Sequence, residues 1–175
     1  MGEASWARAE LFAGLPPGEL DAVRPFFDTV ELPAGRDVIV EGTPGDDMFI
    51  LVSGRVRVRK AMVQKGIAVP ALEAEAGGKT LADLSDAQSP FFGEMALLDR
   101  DIRSASVTCL TDCRFLRIDR DRFFRFLAER PEIGVKLVTA LARRLARVVR
   151  KNNNEIVKLT TALALVLSRR GQGRG

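Results

Sequence analysis

The segment FFGEMALLDRDIRSASV, residues 91–107, places a glycine and a glutamate at the start of a short apolar run. Arg103 follows Glu94 by nine residues and is itself followed by small residues and a valine. A pair of opposite charges at this spacing in a half-apolar segment has two explanations. Either Glu94 and Arg103 form a salt bridge with each other, or both bind a third group.

A ribose phosphate is the kind of third group that these residues could hold. If residues 92–98 turn from strand into a helical turn, Gly93 lets a ligand approach the backbone, and the first helical amides favour an anion. Arg103 could donate two parallel hydrogen bonds to a phosphate, and Ser104 could add a hydroxyl donor. Glu94 cannot hold a phosphate, but it can accept hydrogen bonds from a sugar hydroxyl. On spacing alone the salt bridge stays open as the alternative.

The regions around this segment predict many short strands. Residues 30–58 are rich in β-branched side chains and are interrupted by glycine and proline, which is typical of strands joined by tight turns. Several short strands at this spacing indicate a β-sandwich or barrel. The predicted strands are Val38–Val40, Met48–Val52, a strand around Val56 and Val58, a returning strand Val69–Ala76, Ala105–Leu110 and Arg114–Ile118.

Helices are predicted at both ends of the chain. Residues 4–14 and 19–27 read as two short N-terminal helices, the first ending at Gly14. Asp119 is a plausible N-cap for a helix that follows the last strand. From residue 132 to residue 170 there is no proline and no glycine after Gly134, so we expect one helix of nearly forty residues, about 55 Å long.

The long helix carries an apolar stripe with spacings of three and four residues, as in a coiled coil. Asn152 interrupts the stripe, and a buried asparagine favours pairing with its own copy. We therefore expect a parallel homodimer, with packing along its own domain as the alternative. The stripe consists of Leu141, Leu145, Val148, Asn152, Ile156, Leu159, Leu163 and Val166.

The composition argues against catalysis. The chain has no histidine, so the commonest general base and metal ligand is missing. Its two cysteines, Cys109 and Cys113, are too few for a protein-only zinc site, and we expect ordinary core thiols separated by a turn at Thr111-Asp112. We predict that the chain is not an enzyme and that it has no metal or other cofactor.

Charge is distributed unevenly along the chain. Residues 1–130 carry 17 basic and 21 acidic side chains, whereas residues 131–175 carry 10 basic and 2 acidic ones. The basic end could meet nucleic acid, an acidic partner or a membrane surface, or simply form a solvated helix face. The longest uncharged apolar run, Thr160 to Ser168, is too short for a bilayer core of about 30 Å. Without a secretory pattern at the N-terminus, we expect a cytoplasmic protein that does not insert into membranes.

Two groups of residues resemble the cyclic nucleotide-binding domain family, the sensor of catabolite-activator-type regulators, cyclic-nucleotide-dependent kinases and gated channels. One is the phosphate-binding cassette, Phe92–Leu98 followed after four residues by Arg103–Val107. The other is a glycine-punctuated pattern upstream, which consists of Pro33, Gly35, Val38–Gly42, Gly45-Asp46, Met48–Leu51 and Gly54. The resemblance covers about residues 8–150.

The resemblance implies a fold and a division of the chain. The fold is mainly β with flanking helices (α+β), a double-stranded β-helix or jelly-roll-like β-roll followed by a short helix and one long C-terminal helix. Residues 1–130 would form the cyclic nucleotide-binding unit with its N-terminal helices. Residues 131–170 would form the helix that dimerises the protein and covers the ligand, and residues 171–175 a flexible tail.

The resemblance also implies the site. Arg103 and Ser104 would hold the cyclic phosphate, and Glu94 the ribose 2′-hydroxyl. The base would lie under the long helix, where Val148 and Val149 could cover it and Asn152 or Asn153 could read its edge. The full set of expected ligand-binding residues is Phe92, Gly93, Glu94, Met95, Ala96, Leu97, Arg103, Ser104, Ala105, Val148 and Asn152.

The cassette departs from the family pattern in one respect that bears on function. Asp99 and Asp101 add two carboxylates close to Arg103, and either could pair with Arg103 when no ligand is bound. We expect a dimeric sensor of cAMP or cGMP with no output domain in the chain, which could act on a protein partner and would not bind DNA alone. The alternatives are the sensor part of a catabolite-activator-type regulator without its helix-turn-helix domain, a ligand-free relative, and a receptor for a cyclic dinucleotide.

Overall fold

The computed structural model describes residue 6 and residues 8–61 and 79–172. The chain divides into two units, Met1–Leu137 and Val138–Gly175, each of which is described by itself. The predicted turn at residues 64–66 and the predicted returning strand Val69–Ala76 lie outside the described residues.

In its described residues the first unit contains two four-stranded antiparallel sheets, which confirms the predicted β-roll class. One sheet has the order β1-β8-β3-β6 and the other the order β2-β7-β4-β5. The strands are β1 (Asp28–Leu32), β2 (Asp37–Ile39), β3 (Asp47–Ser53), β4 (Arg55–Lys60), β5 (Lys79–Ser85), β6 (Phe91–Phe92), β7 (Ser106–Cys109) and β8 (Cys113–Asp119).

The core lies between the two sheets and explains the strand patterns. β3 is a continuous apolar run because Met48 to Leu51 are all buried, whereas β4 buries Val56 and leaves its arginines at least partly exposed. The rings of Phe49, Phe92 and Phe115 meet in this core with centroids 6.0 Å apart. Such aromatic contacts add to the stability gained from burial alone.

Within the described residues, four named α-helices flank the strands in sequence. They are α1 (Pro17–Val23), α2 (Glu94–Asp99), α3 (Arg120–Glu129) and α4 (Pro131–Gln172), with one-turn 3₁₀ helices at Glu10–Phe12, Arg24–Phe26 and Asp86–Gln88. Asp119 caps α3 as predicted, because its Oδ1 accepts the Arg122 amide at 2.8 Å. Among the helices of the described part, none has both the length and the apolarity to cross a membrane.

Two helix predictions need correction. The helix expected over residues 19–27 begins at Pro17, ends at Val23 and continues only as a 3₁₀ turn, because Pro25 has no N–H and cannot extend the α-helical ladder. In the described part of residues 4–14, the regular element after Trp6 is the 3₁₀ turn Glu10–Phe12, which stops before Gly14 at φ +90°.

The two cysteines lie where the chain passes from one sheet to the other. Cys109 ends β7 and Cys113 begins β8, with the predicted break at Thr111-Asp112 between them. Both thiols are free and buried, as expected for core residues. Burial, with a smaller contribution from Cys113, raises the pKa of Cys109 to about 12.

The second unit is the major part of α4. The predicted apolar stripe is present on it, and within the single chain much of that stripe is exposed, for example 69% at Leu159 and 58% at Leu163. Asn152 is exposed too. A helix face of this kind gains its stability in proteins from a partner surface.

Candidate functional site

The cassette starts where β6 ends against β3. Phe91 and Phe92 pair with Ile50 and Phe49, and both cassette phenylalanines are buried. Gly93 then adopts φ +87°, a conformation that glycine accepts without strain, and α2 begins at the next residue. The first amide that donates within this helix is Leu97 N–H, which bonds to Gly93 O at 3.3 Å. The amides of residues 94–96 come before this first intrahelical hydrogen bond.

The far end of α2 is closed by a side chain from α3. Arg120 Nη1 donates to the carbonyl oxygens of Leu97, at 2.5 Å, and Leu98. Because the helix ends so soon after them, these carbonyls accept no intrahelical amide, and a cation beside them is therefore favourable. The Arg120 guanidinium also stacks over the Phe124 ring, 4.4 Å from its centroid. The position of α2 is therefore fixed from both ends.

A tight turn returns the chain from α2 to the cassette arginine. Asp99 Oδ1 accepts the Asp101 amide at 3.0 Å, and Asp101 Oδ1 accepts the Ile102 amide at 2.7 Å. The Arg103 backbone is then held by the loop before β3, since its N–H donates to Thr43 O and its carbonyl accepts the Gly42 amide, each at 2.9 Å.

The Arg103 side chain is buried, with 8% exposed, and points to the start of β3. Its Nη1 donates to the backbone oxygens of Asp47, at 2.7 Å, and Gly93, at 3.4 Å, while its Nη2 donates to Asp47 Oδ1. Gly45 lies against the same guanidinium, because a Cβ at Gly45 would overlap it. Backbone without side chains therefore flanks Arg103 at both Gly45 and Gly93.

Asp47 is the residue that the sequence analysis missed. Its carboxylate binds Arg103 through Oδ1 and Arg117 through Oδ2, with Arg117 Nε at 2.5 Å. The hydrogen bond to Asp47 raises the pKa of Arg117. A signal was available in β8, where Arg117 follows the fully buried Phe115 by two residues and so shares its inward face. A partly buried cation on this face is favoured by a carboxylate nearby.

None of the alternative salt bridges considered for Arg103 is the one observed. In the described part of the chain, its ion pair is with Asp47 and not with Glu94, and Asp99 and Asp101 cap the turn instead. The physical reason is that the two turn carboxylates each lie within reach of a backbone amide next to them, whereas the arginine side chain extends inward to β3.

The other cassette residues lie around this arginine. Glu94 is buried with only 8% exposed, and Ala96 and Leu97 are also buried, whereas Met95 is 46% exposed. Ser104 is exposed, and its hydroxyl lies 3.8 Å from Met95 Sδ. The structure thus brings residues 92–97 and 103–105 into one region. Val148 and Asn152 belong to the second unit and stay predictions.

Comparison with known proteins identifies the relatives of this fold. A family model described as cyclic nucleotide-binding domain matches residues 29–130. A CRP-like cAMP-activated global transcriptional regulator of Mycobacterium tuberculosis is 33% identical over 153 residues, which are 87% of this chain and 61% of that protein. The chain therefore spans about three fifths of that regulator's length.

Two further relatives show the same relationship. A cAMP-dependent protein kinase regulatory subunit of Aspergillus fumigatus is 34% identical over 127 residues, 73% of this chain and 27% of that protein. The crystal structure of Thermus thermophilus catabolite activator protein superimposes with a TM-score of 0.72 at 29% identity, covering 87% of this chain and 63% of the other.

Proposed function

Because the chain belongs to the cyclic nucleotide-binding domain family, we propose that it is a sensor that binds a cyclic nucleoside monophosphate, with cAMP as the favoured ligand. The Mycobacterium regulator and the Aspergillus kinase subunit are both named for cAMP, and this supports the choice of base. The observation that carries the proposal is the arrangement of Arg103, Gly93 and the first turn of α2. It offers fixed donors to one anion.

Arg103 has donors to spare for a phosphate. A guanidinium has five N–H groups, and in the described structure Asp47 and Gly93 accept from three of them. The N–H of Nε and one N–H of Nη2 are left, and they can donate in parallel to two phosphate oxygens. The amides at the start of α2 and the exposed Ser104 hydroxyl would add donors. Glu94 would accept from the ribose 2′-hydroxyl.

Calorimetric titration of nucleotide-free protein with cAMP and with cGMP tests this proposal. Wild type should bind at least one of them, and Arg103→Ala should weaken that binding by more than a hundredfold, since two charge-assisted hydrogen bonds are lost, about 3 kcal/mol or more. Arg114→Ala is the matched control, because Arg114 forms a surface pair with Glu31 at 2.7 Å. Absence of binding by wild type, or equal losses in both variants, would contradict the proposal.

We also propose that α4 dimerises the protein in parallel. The exposed stripe of the second unit supports this, because leucines at coiled-coil spacing are 58% and 69% exposed in the single chain at Leu163 and Leu159. Sedimentation equilibrium should give a dimer for wild type and a monomer for Leu159→Glu. Val157→Glu, at an equally exposed position outside the stripe (64%), should remain a dimer. A monomeric wild type at micromolar concentration would refute this part.

A bound ligand would shift the sensor between two states that differ in the dimer or in the surface that binds a protein partner. Such a shift requires that the ligand has different affinities for the two states.

A catalytic role is not part of the proposal, since the relatives described above are regulators. The second candidate function is that of a sensor part within a transcription regulator. The match to 61% of the Mycobacterium regulator favours it. The cytoplasmic location and the base contacts of Val148 and Asn152 remain predictions from the sequence.

A further inference from the structure

One carboxylate, that of Asp47, is shared between two arginines beside the proposed phosphate position. The Asp47 side chain is 13% exposed, and its two oxygens face different cations, Arg103 on one side and Arg117 on the other. Arg103 is 8% exposed and Arg117 is 38% exposed, so the ion pair with Arg103 is the more buried of the two. Burial strengthens electrostatic coupling, so the state of Asp47 affects Arg103 directly.

Asp47 takes one edge of the Arg103 guanidinium. Its backbone oxygen accepts from Nη1 at 2.7 Å and its Oδ1 accepts from Nη2, which fixes the plane of the group. The adjacent edge, formed by Nε and the second N–H of Nη2, carries the donors left for a ligand, and the Gly45 backbone lies beside it. Because a bidentate contact depends on direction, an anchor that fixes the plane also determines how well a phosphate can bind.

Asp47 also reduces the positive charge that Arg103 presents. A carboxylate paired only with Arg103 would offset most of the charge available for a phosphate. Arg117 binds the second oxygen and draws part of that negative charge away, as the raised pKa of Arg117 indicates. The net charge of the three side chains is +1, which matches the single negative charge of a cyclic phosphodiester.

We propose that Asp47 is a positioning residue that orients Arg103 for the phosphate, and that Arg117 sets the strength of phosphate binding by sharing the Asp47 carboxylate. This inference rests on the proposed function. It assigns to Asp47 and Arg117 roles in a site whose ligand contacts are made by other residues.

The first test separates orientation from charge at Asp47. Asp47→Asn and Asp47→Ala remove the same charge, but only asparagine keeps an oxygen for Arg103 Nη2. Asp47→Asn should bind cAMP on the order of tenfold more tightly than wild type, because a negative charge near the phosphate is gone. Asp47→Ala should bind at least about tenfold more weakly than Asp47→Asn. Equal affinities of the two variants would overturn the positioning role.

A stereochemical readout distinguishes positioning from general stability. The two phosphorothioate diastereomers of cAMP place sulfur on different exocyclic oxygens of the phosphate. Their affinity ratio should be kept in Asp47→Asn and should fall towards one in Asp47→Ala, because a guanidinium held only through Nη1 by backbone oxygens distinguishes the two phosphate oxygens less well. An unchanged ratio in a folded Asp47→Ala protein would contradict the proposal.

The second test concerns Arg117. Arg117→Met should weaken cAMP binding about three- to fivefold, and Arg117→Lys should weaken it less, since lysine keeps the charge. In an Asp47→Asn background, Arg117→Met should change the affinity by less than about twofold, because the carboxylate it acts through is absent. If both backgrounds lose the same affinity, Arg117 acts independently of Asp47 and the proposed sharing is wrong. This cycle needs no alanine variant, so it holds even if Asp47→Ala fails to fold.

A measurement without ligand separates this inference from the proposed function. Nitrogen-15 spectra of the Arg103 side chain should show slow rotation about the Cζ–Nε bond in wild type and in Asp47→Asn, and faster rotation when Asp47 is replaced by serine, whose hydroxyl is too short to reach Nη2. Equal rotation rates would overturn the inference even if cAMP binds. Slowed rotation in wild type with no nucleotide binding would leave Asp47 as the anchor of Arg103 and refute the proposed function alone.

Discussion

Replacing Gly45 with alanine should abolish nucleotide binding and leave the two sheets folded. A Cβ at this position would lie 2.6 Å from Arg103 Nη2 and still nearer to Nε and Cζ, so the guanidinium must move. The displaced group loses its parallel donors to the phosphate, which corresponds to about 3 kcal/mol or more and a loss of at least a hundredfold in affinity. Asp47 keeps Arg117 as a partner, so we expect a moderate loss of stability, about 1–3 kcal/mol.

Two other glycines provide matched controls. Gly35 has φ +81° and no atom within 4 Å of the position a Cβ would take, so Gly35→Ala should destabilise the protein by about 1–2 kcal/mol through backbone strain and leave the affinity for cAMP unchanged. Gly18 has neither a positive φ nor a close neighbour, so Gly18→Ala should change neither quantity for the worse. Urea denaturation followed by the fluorescence of Trp6, the single tryptophan, gives the stability, and calorimetry gives the affinity.

The comparison between Gly45→Ala and Gly35→Ala is decisive because both lose stability and only one should lose binding. A folded Gly45→Ala protein that binds cAMP within about threefold of wild type would refute the role of the Arg103 guanidinium as phosphate ligand. Equal loss of binding in both variants would show that binding follows stability and not the position of Arg103.

Two further predictions concern the fold. Burial raises the pKa of Cys109 to about 12, whereas an exposed thiol has a pKa near 9.0. The contribution of this group to the free energy of unfolding should therefore be undiminished below pH 9. Above pH 9 the free energy of unfolding should fall by about 1.4 kcal/mol per pH unit. Urea denaturation between pH 8 and 11 measures this, in a chain without tyrosine, and an equal slope in Cys109→Ala would contradict it. Asp119→Ala should lower the free energy of unfolding by about 1 kcal/mol through loss of the α3 N-cap, whereas Asp119→Asn should keep most of the stability in the same assay.

Local patterns explain why most of the strands could be predicted. Met48–Val52 is apolar at every position because both faces of β3 are covered, and the alternation of valine and arginine in β4 reflects one buried face. The helix expected over residues 19–27 ends early for a local reason as well, since Pro25 interrupts its last turn. Strand order could not be read from these patterns, because pairing joins segments far apart in sequence.

The site was predictable to the extent that it is local. Residues 92–97 and 103–105 come from one segment, and their residue types indicate a phosphate and a hydroxyl. Asp47 could not be found in this way, because it lies 56 residues from Arg103 and 70 from Arg117. The pairing of β3 with β8 brings Asp47 to Arg117, and the hydrogen bonds of the Arg103 backbone with Gly42 and Thr43 bring Arg103 to the start of β3.

Gly45 gives the strongest reason to think that Arg103 does more than form a structural ion pair with Asp47. Gly93 needs its glycine for φ +87°, but Gly45 has no left-handed conformation, so its backbone would accept a side chain. The three atoms nearest to a Cβ at Gly45 all belong to the Arg103 side chain, so the main constraint on Gly45 is the guanidinium. A structural pair between Arg103 and Asp47 would gain from closer packing around it. Glycine at position 45 instead leaves room for the guanidinium itself, which holds its Nε and Nη2 donors where a phosphate could accept from them.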